Sequence, residues 1–125
     1  MPRCQAAVTV LIVDDSACWR AFARRLLLEA GFEVVGEASD ARSALETARR
    51  VRPELVLVDV QLPDIDGLTL TTLLLGAERL APAVVLTSTR EAADYGSRVT
   101  DCGALGFVAK AALSGEALTA LVGRR

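Results

Sequence analysis

The stretch from Leu55 to Gly67 reads LVLVDVQLPDIDG, and its two halves differ in character. The first four residues are leucines and valines without polar alternation, which is typical of a short strand covered on both faces. Asp59 follows this run directly, and the residues after it include the turn formers Pro63 and Gly67. The stretch therefore predicts a buried parallel strand that ends in a carboxylate and a loop.

Short runs of the same apolar character occur on both sides of this stretch. Together with Leu55–Val58, the predicted strands are Val8–Val13, Glu33–Glu37, Ala83–Leu86 and Leu105–Ala109. Longer amphipathic segments separate them, and the predicted helices are Ala17–Ala30, Ala41–Val51, Leu68–Leu80, Glu91–Cys102 and Ser114–Val122. Gly96 interrupts the fourth of these helices and weakens its prediction.

The regular alternation of strands and helices predicts an α/β fold. Parallel strands joined by helical crossovers carry helices on both faces of the sheet, which gives a three-layer sandwich. For five such units, the flavodoxin-like strand order 2-1-3-4-5 is the common solution. A chain of 125 residues is the size of one domain, so we expect a single domain over residues 1–125 with a core over about residues 8–122.

The composition excludes several classes of protein. Hydrophobic residues make up 52% of the chain, which argues against disorder, and a net charge of −2 gives no basis for direct binding of nucleic acid. The chain has no run of about 18 apolar residues and no signal-peptide pattern, so no membrane association is expected. Cys4, Cys18 and Cys102 form no metal-ligand pattern and are expected to be reduced, in a cytoplasmic protein.

Two features of residue usage are more specific than these averages. The chain contains no histidine, which excludes a Ser-His-Asp triad, a histidine metal site and a histidine phosphocarrier within it. Its 14 basic residues are 13 arginines and one lysine, Lys110. The position of that lysine is therefore informative.

Five polar residues follow the predicted strands at their carboxyl ends. Asp14 and Asp15 follow the first strand, Asp59 the third, Thr87 the fourth and Lys110 the fifth. Each alone has an ordinary interpretation, as a helix cap, a turn residue, a strand residue or a surface charge. Together they lie at one edge of a parallel sheet, where ligands bind in this strand order. The set therefore predicts a functional site.

The charges of this set indicate which ligands it would take. Three clustered carboxylates repel one another, and a hard divalent cation relieves that repulsion. Mg²⁺ suits a site with a few carboxylates, water and phosphate oxygens, and it neutralises charge on a phosphoryl group in transfer. Lys110 supplies a compact positive charge opposite the metal, and a carboxylate beside them can act as nucleophile.

At this point the sequence resembles the receiver domains of bacterial two-component response regulators, of the chemotaxis-receiver type. The resemblance covers about residues 8–122, and it rests on four motifs at matching spacing: LIVDDS with Asp14 and Asp15, LVLVDVQLPDIDG with Asp59, VVLTST with Thr87, and GALGFVAK with Phe107 and Lys110.

The resemblance implies a role for each of these residues. Asp59 corresponds to the phosphoacceptor, and the implied Mg²⁺ ligands are Asp14, Asp15, Asp59 and the backbone carbonyl of Gln61. Thr87 and Lys110 correspond to the residues that bind phosphoryl oxygens, and Phe107 to the aromatic switch residue.

Two positions depart from the usual pattern of that family. Ala111 follows the lysine where many receivers have a proline, so a cis peptide bond is not expected there. Phe107 lacks the hydroxyl of the more usual tyrosine, so its inward position would need no hydrogen-bond partner.

The resemblance also implies partners. The phosphoryl donor would be a sensor histidine kinase or a phosphotransfer protein, and the output would be a downstream protein or a homodimer that uses the face of the fourth helix, fifth strand and fifth helix. The chain is expected to be a stand-alone regulator or the receiver of a longer one, without enzymatic turnover of another substrate. The alternative is a Mg²⁺-dependent phosphatase that forms an aspartyl phosphate, although Gln61 stands where such enzymes carry their second aspartate.

Overall fold

The five predicted strands form one parallel sheet in the computed structural model, which describes residues 7–77 and 80–123. The strands are β1 (Thr9–Val13), β2 (Glu33–Ala38), β3 (Leu55–Asp59), β4 (Ala83–Ser88) and β5 (Gly106–Ala109). Their order is β2-β1-β3-β4-β5, and every neighbouring pair is parallel. The predicted fold and strand order are confirmed.

Five α-helices connect and follow these strands. They are α1 (Ala17–Glu29), α2 (Ala41–Val51), α3 (Gly67–Gly76), α4 (Arg98–Asp101) and α5 (Gly115–Val122), with 3₁₀ turns at Ala92–Tyr95 and Lys110–Ala112. The N-caps of α1, α2, α3 and α5 are Ser16, Asp40, Asp66 and Ser114, and each side chain accepts a backbone N–H from the first helical turn. Such caps explain why these helices begin where the sequence predicts within one residue.

Helices cover both faces of the sheet and create two apolar cores. One core lies under α1 and α5 and includes Ile12, Leu27, Leu57 and Leu118, all fully buried or nearly so. The other lies under α2 and α3 and is larger, with alanines of α2 packed against leucines and valines of the strands. Since both faces of the central strands are covered, β3 is buried along its whole length.

The third helix ends earlier than predicted. The sequence predicts Leu68–Leu80, but α3 ends at Gly76, Ala77 is extended, and residues 78 and 79 lie outside the described part of the chain. Glycine is a poor helix residue, and the extended Ala77 directs the chain toward the start of β4. The prediction of a continuous helix to Leu80 is therefore wrong.

The fourth helix is also shorter than predicted. The sequence predicts Glu91–Cys102, but the structure has a 3₁₀ turn, then Gly96, then the single turn of α4. Gly96 has φ 61° and ψ −146°, a conformation that is essentially confined to glycine and breaks the helical path. One long helix over this segment is therefore wrong, and two short pieces replace it.

Gly67 brings the start of α3 close to the end of β3. A Cβ at this position would collide with the backbone carbonyl of Asp59 and would lie 2.9 Å from the Cα of Val60. Only a glycine permits this approach.

In the part of the chain that the structure describes, no helix combines the length and the apolar character needed to cross a bilayer.

Candidate functional site

Asp14 and Asp59 lie side by side at the carboxyl edge of the sheet. Val13 pairs with Val58 in the β1–β3 register, so the next residue of each strand is an aspartate. Both are buried, with 0% of Asp14 and 4% of Asp59 exposed. Each carboxylate accepts a backbone N–H two residues ahead: that of Ser16 at 2.9 Å and that of Gln61 at 3.0 Å. These bonds fix the two carboxylates in one orientation.

Lys110 extends from the end of β5 to both carboxylates. Its Nζ lies 2.6 Å from Oδ2 of Asp14 and 3.3 Å from Oδ2 of Asp59, and its side chain is 15% exposed. An ammonium that pairs with two buried carboxylates offsets part of the cost of burying them. The only lysine of the sequence is therefore part of the site and not a solvated surface charge.

Asp15 completes a group of three carboxylates. It is exposed, and one carboxylate oxygen from each of Asp14, Asp15 and Asp59 lies within 4.8 Å of the others. Oxygen ligands of this kind, with one side open to water, fit a Mg²⁺ ion that keeps several of its waters. Gln61 is exposed, and its backbone N–H donates to Asp59.

Thr87 presents an unpaired hydroxyl beside Asp59. The two residues are partners in the β3–β4 register, and Thr87 is 1% exposed. Its Oγ1 has no hydrogen-bond partner among the described residues. A buried hydroxyl without a partner costs about 1–3 kcal/mol, so such groups are uncommon and indicate a place for a ligand atom.

The electrostatic environment shifts the pKa values of two site residues in the same direction. Burial raises the pKa of Asp59 above its ordinary 3.8, although the Gln61 N–H and the charge of Lys110 oppose this shift. Burial alone would lower the pKa of Lys110, but its contacts with Asp14 and Asp59 outweigh burial and raise it. The lysine is therefore held firmly as an ammonium.

Phe107 lies on β5, next to Leu86 of β4, and is half-buried. Its ring centroid is 6.1 Å from that of Tyr95, whose hydroxyl lies 2.7 Å from Oγ of the buried Ser88. Ser88 directly follows Thr87, so a tyrosine hydroxyl lies one residue from Thr87 along β4. It comes from the segment after β4 and not from β5.

Two aromatic residues near the site were not predicted from the sequence. Trp19 lies in the first turn of α1 with its ring centroid 4.8 Å from Nζ of Lys110, and Tyr95 bonds to Ser88 as described above. Trp19 reads in the sequence as one member of the apolar face of α1. Its position five residues after Asp14, in the first turn of a helix, was the only signal that it borders the site.

Known proteins match most of this chain. The family model described as response regulator receiver domain matches residues 10–122. The transcriptional regulatory protein PdtaR of Mycobacterium tuberculosis strain H37Rv is 39% identical over 101 residues, which cover 81% of this chain and 48% of that protein. A protein-glutamate methylesterase/protein-glutamine glutaminase of Archaeoglobus fulgidus is 38% identical over 102 residues, 81% of this chain and 29% of that protein.

Solved structures share the fold described here. The signal receiver domain of the response regulator NarL from Mycobacterium tuberculosis superposes with a TM-score of 0.83 at 28% identity, over 96% of this chain and 100% of that chain. The chain spans about half the length of PdtaR and under a third of the methylesterase. The similarity to both relatives is thus confined to a part of each that has about the size of this domain.

Proposed function

The chain belongs to the response regulator receiver domain family, and from that premise we propose that Asp59 is the residue that accepts the phosphoryl group. The observation that carries this proposal is the unpaired hydroxyl of Thr87 beside the buried carboxylate. With Lys110 on its other side, Asp59 is the one aspartate of the three that lies between a free hydroxyl donor and an ammonium. Those two groups suit the oxygens of a phosphoryl group attached to Asp59.

The reaction is an attack by a carboxylate oxygen of Asp59 on phosphorus. An O–P bond forms to give an acyl phosphate, the bond from phosphorus to the donor breaks, and the donor leaves with the electron pair of that bond. A donor histidine must come from another protein, because this chain has none. We therefore propose a sensor histidine kinase or a phosphotransfer protein as the donor.

The residues present fit a magnesium ion as cofactor. Asp14, Asp15, Asp59 and the backbone carbonyl of Gln61 would hold it, and when bound it would supply positive charge to the phosphoryl oxygens. Lys110, at the carboxyl end of β5, supplies a second positive charge. After transfer, the hydroxyl of Thr87 donates to a phosphoryl oxygen, and Phe107 turns inward behind it.

The response of this domain is proposed to be a change of surface and not a reaction on another substrate. The face formed by α4, β5 and α5 would bind a downstream protein or a second copy of the chain, from a cytoplasmic location. We propose that residues 1–125 are a single receiver domain of this kind, either alone or as part of a longer regulator. The methylesterase relative is named for an enzymatic activity, but only 29% of that protein matches this chain.

The alternative, a Mg²⁺-dependent phosphatase with an aspartyl-phosphate intermediate, lacks a general acid. Gln61 lies two residues after Asp59, where a second carboxylic acid would have to act, and an amide does not transfer a proton in that way. Steady hydrolysis of added phosphate esters would favour this alternative. Its absence, with one phosphoryl group bound per chain, would favour the receiver.

Intact-mass spectrometry tests the assignment of Asp59. The protein is incubated with acetyl phosphate and Mg²⁺, and the mass of one phosphoryl group is expected on the wild type, but not on Asp59→Asn or in the presence of EDTA. Asp64→Asn is the matched control, because Asp64 is an exposed aspartate of the same loop. Full phosphorylation of Asp59→Asn would show that another residue is the acceptor.

A further inference from the structure

Among the residues that the structure describes, the ammonium of Lys110 contacts two carboxylates and one aromatic ring. The ring is that of Trp19, whose centroid lies 4.8 Å from Nζ. A cation within about 6 Å of an indole face is attracted by it, and indole is the best of the aromatic side chains for this contact. The contact is worth more where water is excluded, and the Lys110 side chain is only 15% exposed.

The ring of Trp19 is held in place by the start of α1. The backbone N–H of Trp19 donates to Oγ of the N-cap Ser16 at 3.1 Å, and the backbone N–H of Ser16 donates in turn to the carboxylate of Asp14. The ring also lies against Phe22, with centroids 5.3 Å apart, and packs on the core under α1. The indole is therefore fixed relative to Asp14, one of the two carboxylates that bind the lysine.

The lysine needs freedom to change partners. In the unphosphorylated site its ammonium lies nearest to Asp14, at 2.6 Å, while a phosphoryl group on Asp59 would place new oxygens within reach. An aromatic face attracts the ammonium without accepting a directed hydrogen bond in the way a carboxylate does. The indole can therefore hold the lysine head near the site and leave its N–H groups free for the phosphoryl oxygens.

We propose that Trp19 is a positioning residue that acts through Lys110, holding the ammonium beside the site so that it can move from Asp14 to a phosphoryl oxygen. The inference rests on the proposed function of Asp59 and extends it to a residue of α1. Trp19 touches neither phosphorus nor metal in this account. Trp19 raises the affinity of the site for a phosphoryl group, or for an analogue of one, by holding Lys110 in place.

Two variants of Trp19 distinguish the effect of its aromatic face from the effect of its size. Trp19→Phe keeps an aromatic face, while Trp19→Leu keeps an apolar side chain without one. Leu28→Ala is the matched control, because Leu28 is an apolar residue of the same helix that is 54% exposed. With Mg²⁺ present, beryllofluoride is expected to bind about three- to tenfold more weakly to Trp19→Leu, and within about twofold of wild type to the other two.

The single lysine provides a spectroscopic signature of its position over the indole ring. Labelling with ¹³C-lysine gives one set of side-chain resonances, because Lys110 is the only lysine. Its ε-methylene protons are expected to be shifted upfield by the indole ring current in the wild type, partly so in Trp19→Phe, and not in Trp19→Leu.

The outcomes distinguish this inference from the function on which it rests. An unshifted lysine resonance in the wild type, or equal beryllofluoride affinity in wild type and Trp19→Leu, overturns the role of Trp19. An equal loss of affinity in Leu28→Ala also overturns it, since the effect would then come from general packing of α1. A wild-type protein that shows the ring-current shift but binds no beryllofluoride instead refutes the proposed function.

Discussion

Two crossovers on the same face of the sheet differ in how firmly they are held: α2, which joins β2 to β3, and the segment with Ala92–Tyr95 and α4, which joins β4 to β5. In α2, four residues are buried, Ala41, Ala44, Thr47 and Ala48, and the helix occupies the range that the sequence predicts. Its first turn is capped both by Asp40 and by Asp64 of the β3–α3 loop, which accepts the N–H groups of Ala41 and Arg42 at 3.0 Å. By contrast, every residue of Ala92–Tyr95 and of α4 is at least partly exposed.

The second crossover packs only partly buried apolar side chains, Tyr95, Val99 and Cys102, against the core, and polar contacts supplement them. Tyr95 bonds to Ser88 at 2.7 Å, and Arg98 of α4 pairs with Asp66, the N-cap of α3, at 3.0 Å. Segments with few buried apolar contacts open more readily than those that contribute to the core. Thr87 lies near the end of β4, which leads into this weakly held segment, whereas Asp14 follows β1 and Asp59 ends β3. The difference suggests which part of the molecule moves when Thr87 is drawn toward a phosphoryl oxygen.

A proline substitution in each crossover should give the largest difference in the free energy of unfolding between the two. Glu46→Pro, at an exposed position inside α2, removes a helical hydrogen bond and clashes with the preceding turn, so it should destabilise the fold by about 3 kcal/mol or more. Ala92→Pro falls at the first position of the 3₁₀ turn, after the extended Glu91, where proline is well accommodated. It should change the free energy of unfolding by less than about 0.5 kcal/mol.

Urea denaturation followed by circular dichroism measures both variants. Equal destabilisation by the two prolines would mean that the segment after β4 is as tightly integrated into the fold as α2.

Two glycines provide a second pair, with a smaller expected effect. Gly96→Ala should cost about 1–3 kcal/mol, because φ 61° with ψ −146° is a conformation that alanine avoids. Gly76→Ala, at the end of α3, should instead stabilise the fold by about 0.5–1 kcal/mol. A Cβ at either position meets no described atom within 4 Å, so the difference isolates backbone conformation from packing.

Thermal and urea unfolding of the two glycine variants check this prediction. If Gly96→Ala were as stable as the wild type, the break in the fourth helix would not depend on glycine, and the explanation given for it would be wrong.

The capping of α2 by Asp64 should produce the smallest effect and a pH dependence. Hydrogen bonds from Ala41 and other backbone N–H groups hold the pKa of Asp64 below its ordinary 3.8. Because the folded pKa is the lower one, this stabilisation is complete above pH 3.8 and is lost as the pH falls through the folded pKa. Asp64→Ala should therefore cost about 1 kcal/mol at neutral pH, and less in acid.

Unfolding free energies of wild type and Asp64→Ala, measured at about pH 7 and about pH 3, provide the comparison. Asp101→Ala in α4 is the control, an exposed aspartate whose replacement should change stability by less than about 0.5 kcal/mol. A difference between wild type and Asp64→Ala that grew in acid would contradict the capping role.

The sequence predicted most of the fold because the decisive signals are local. The bounds of α2 follow from the cap at Asp40 and the stop near Pro53, and the site residues follow from their places after the strands. The break at Gly96 was visible as a weak point, but its conformation depends on the path of the chain between β4 and β5. The contacts Trp19–Lys110 and Tyr95–Ser88 join separate elements, so spacing along the chain did not indicate them.

Hydrogen exchange with mass spectrometry tests the central claim most directly. Wild type and Asp59→Asn are compared with and without beryllofluoride and Mg²⁺. In the wild type, we expect changed exchange in peptides that cover residues 88–112 and no change in residues 41–51 of α2. In Asp59→Asn, we expect no response anywhere. A change in α2 as large as that in residues 88–112, or the same response in Asp59→Asn, would contradict the claim.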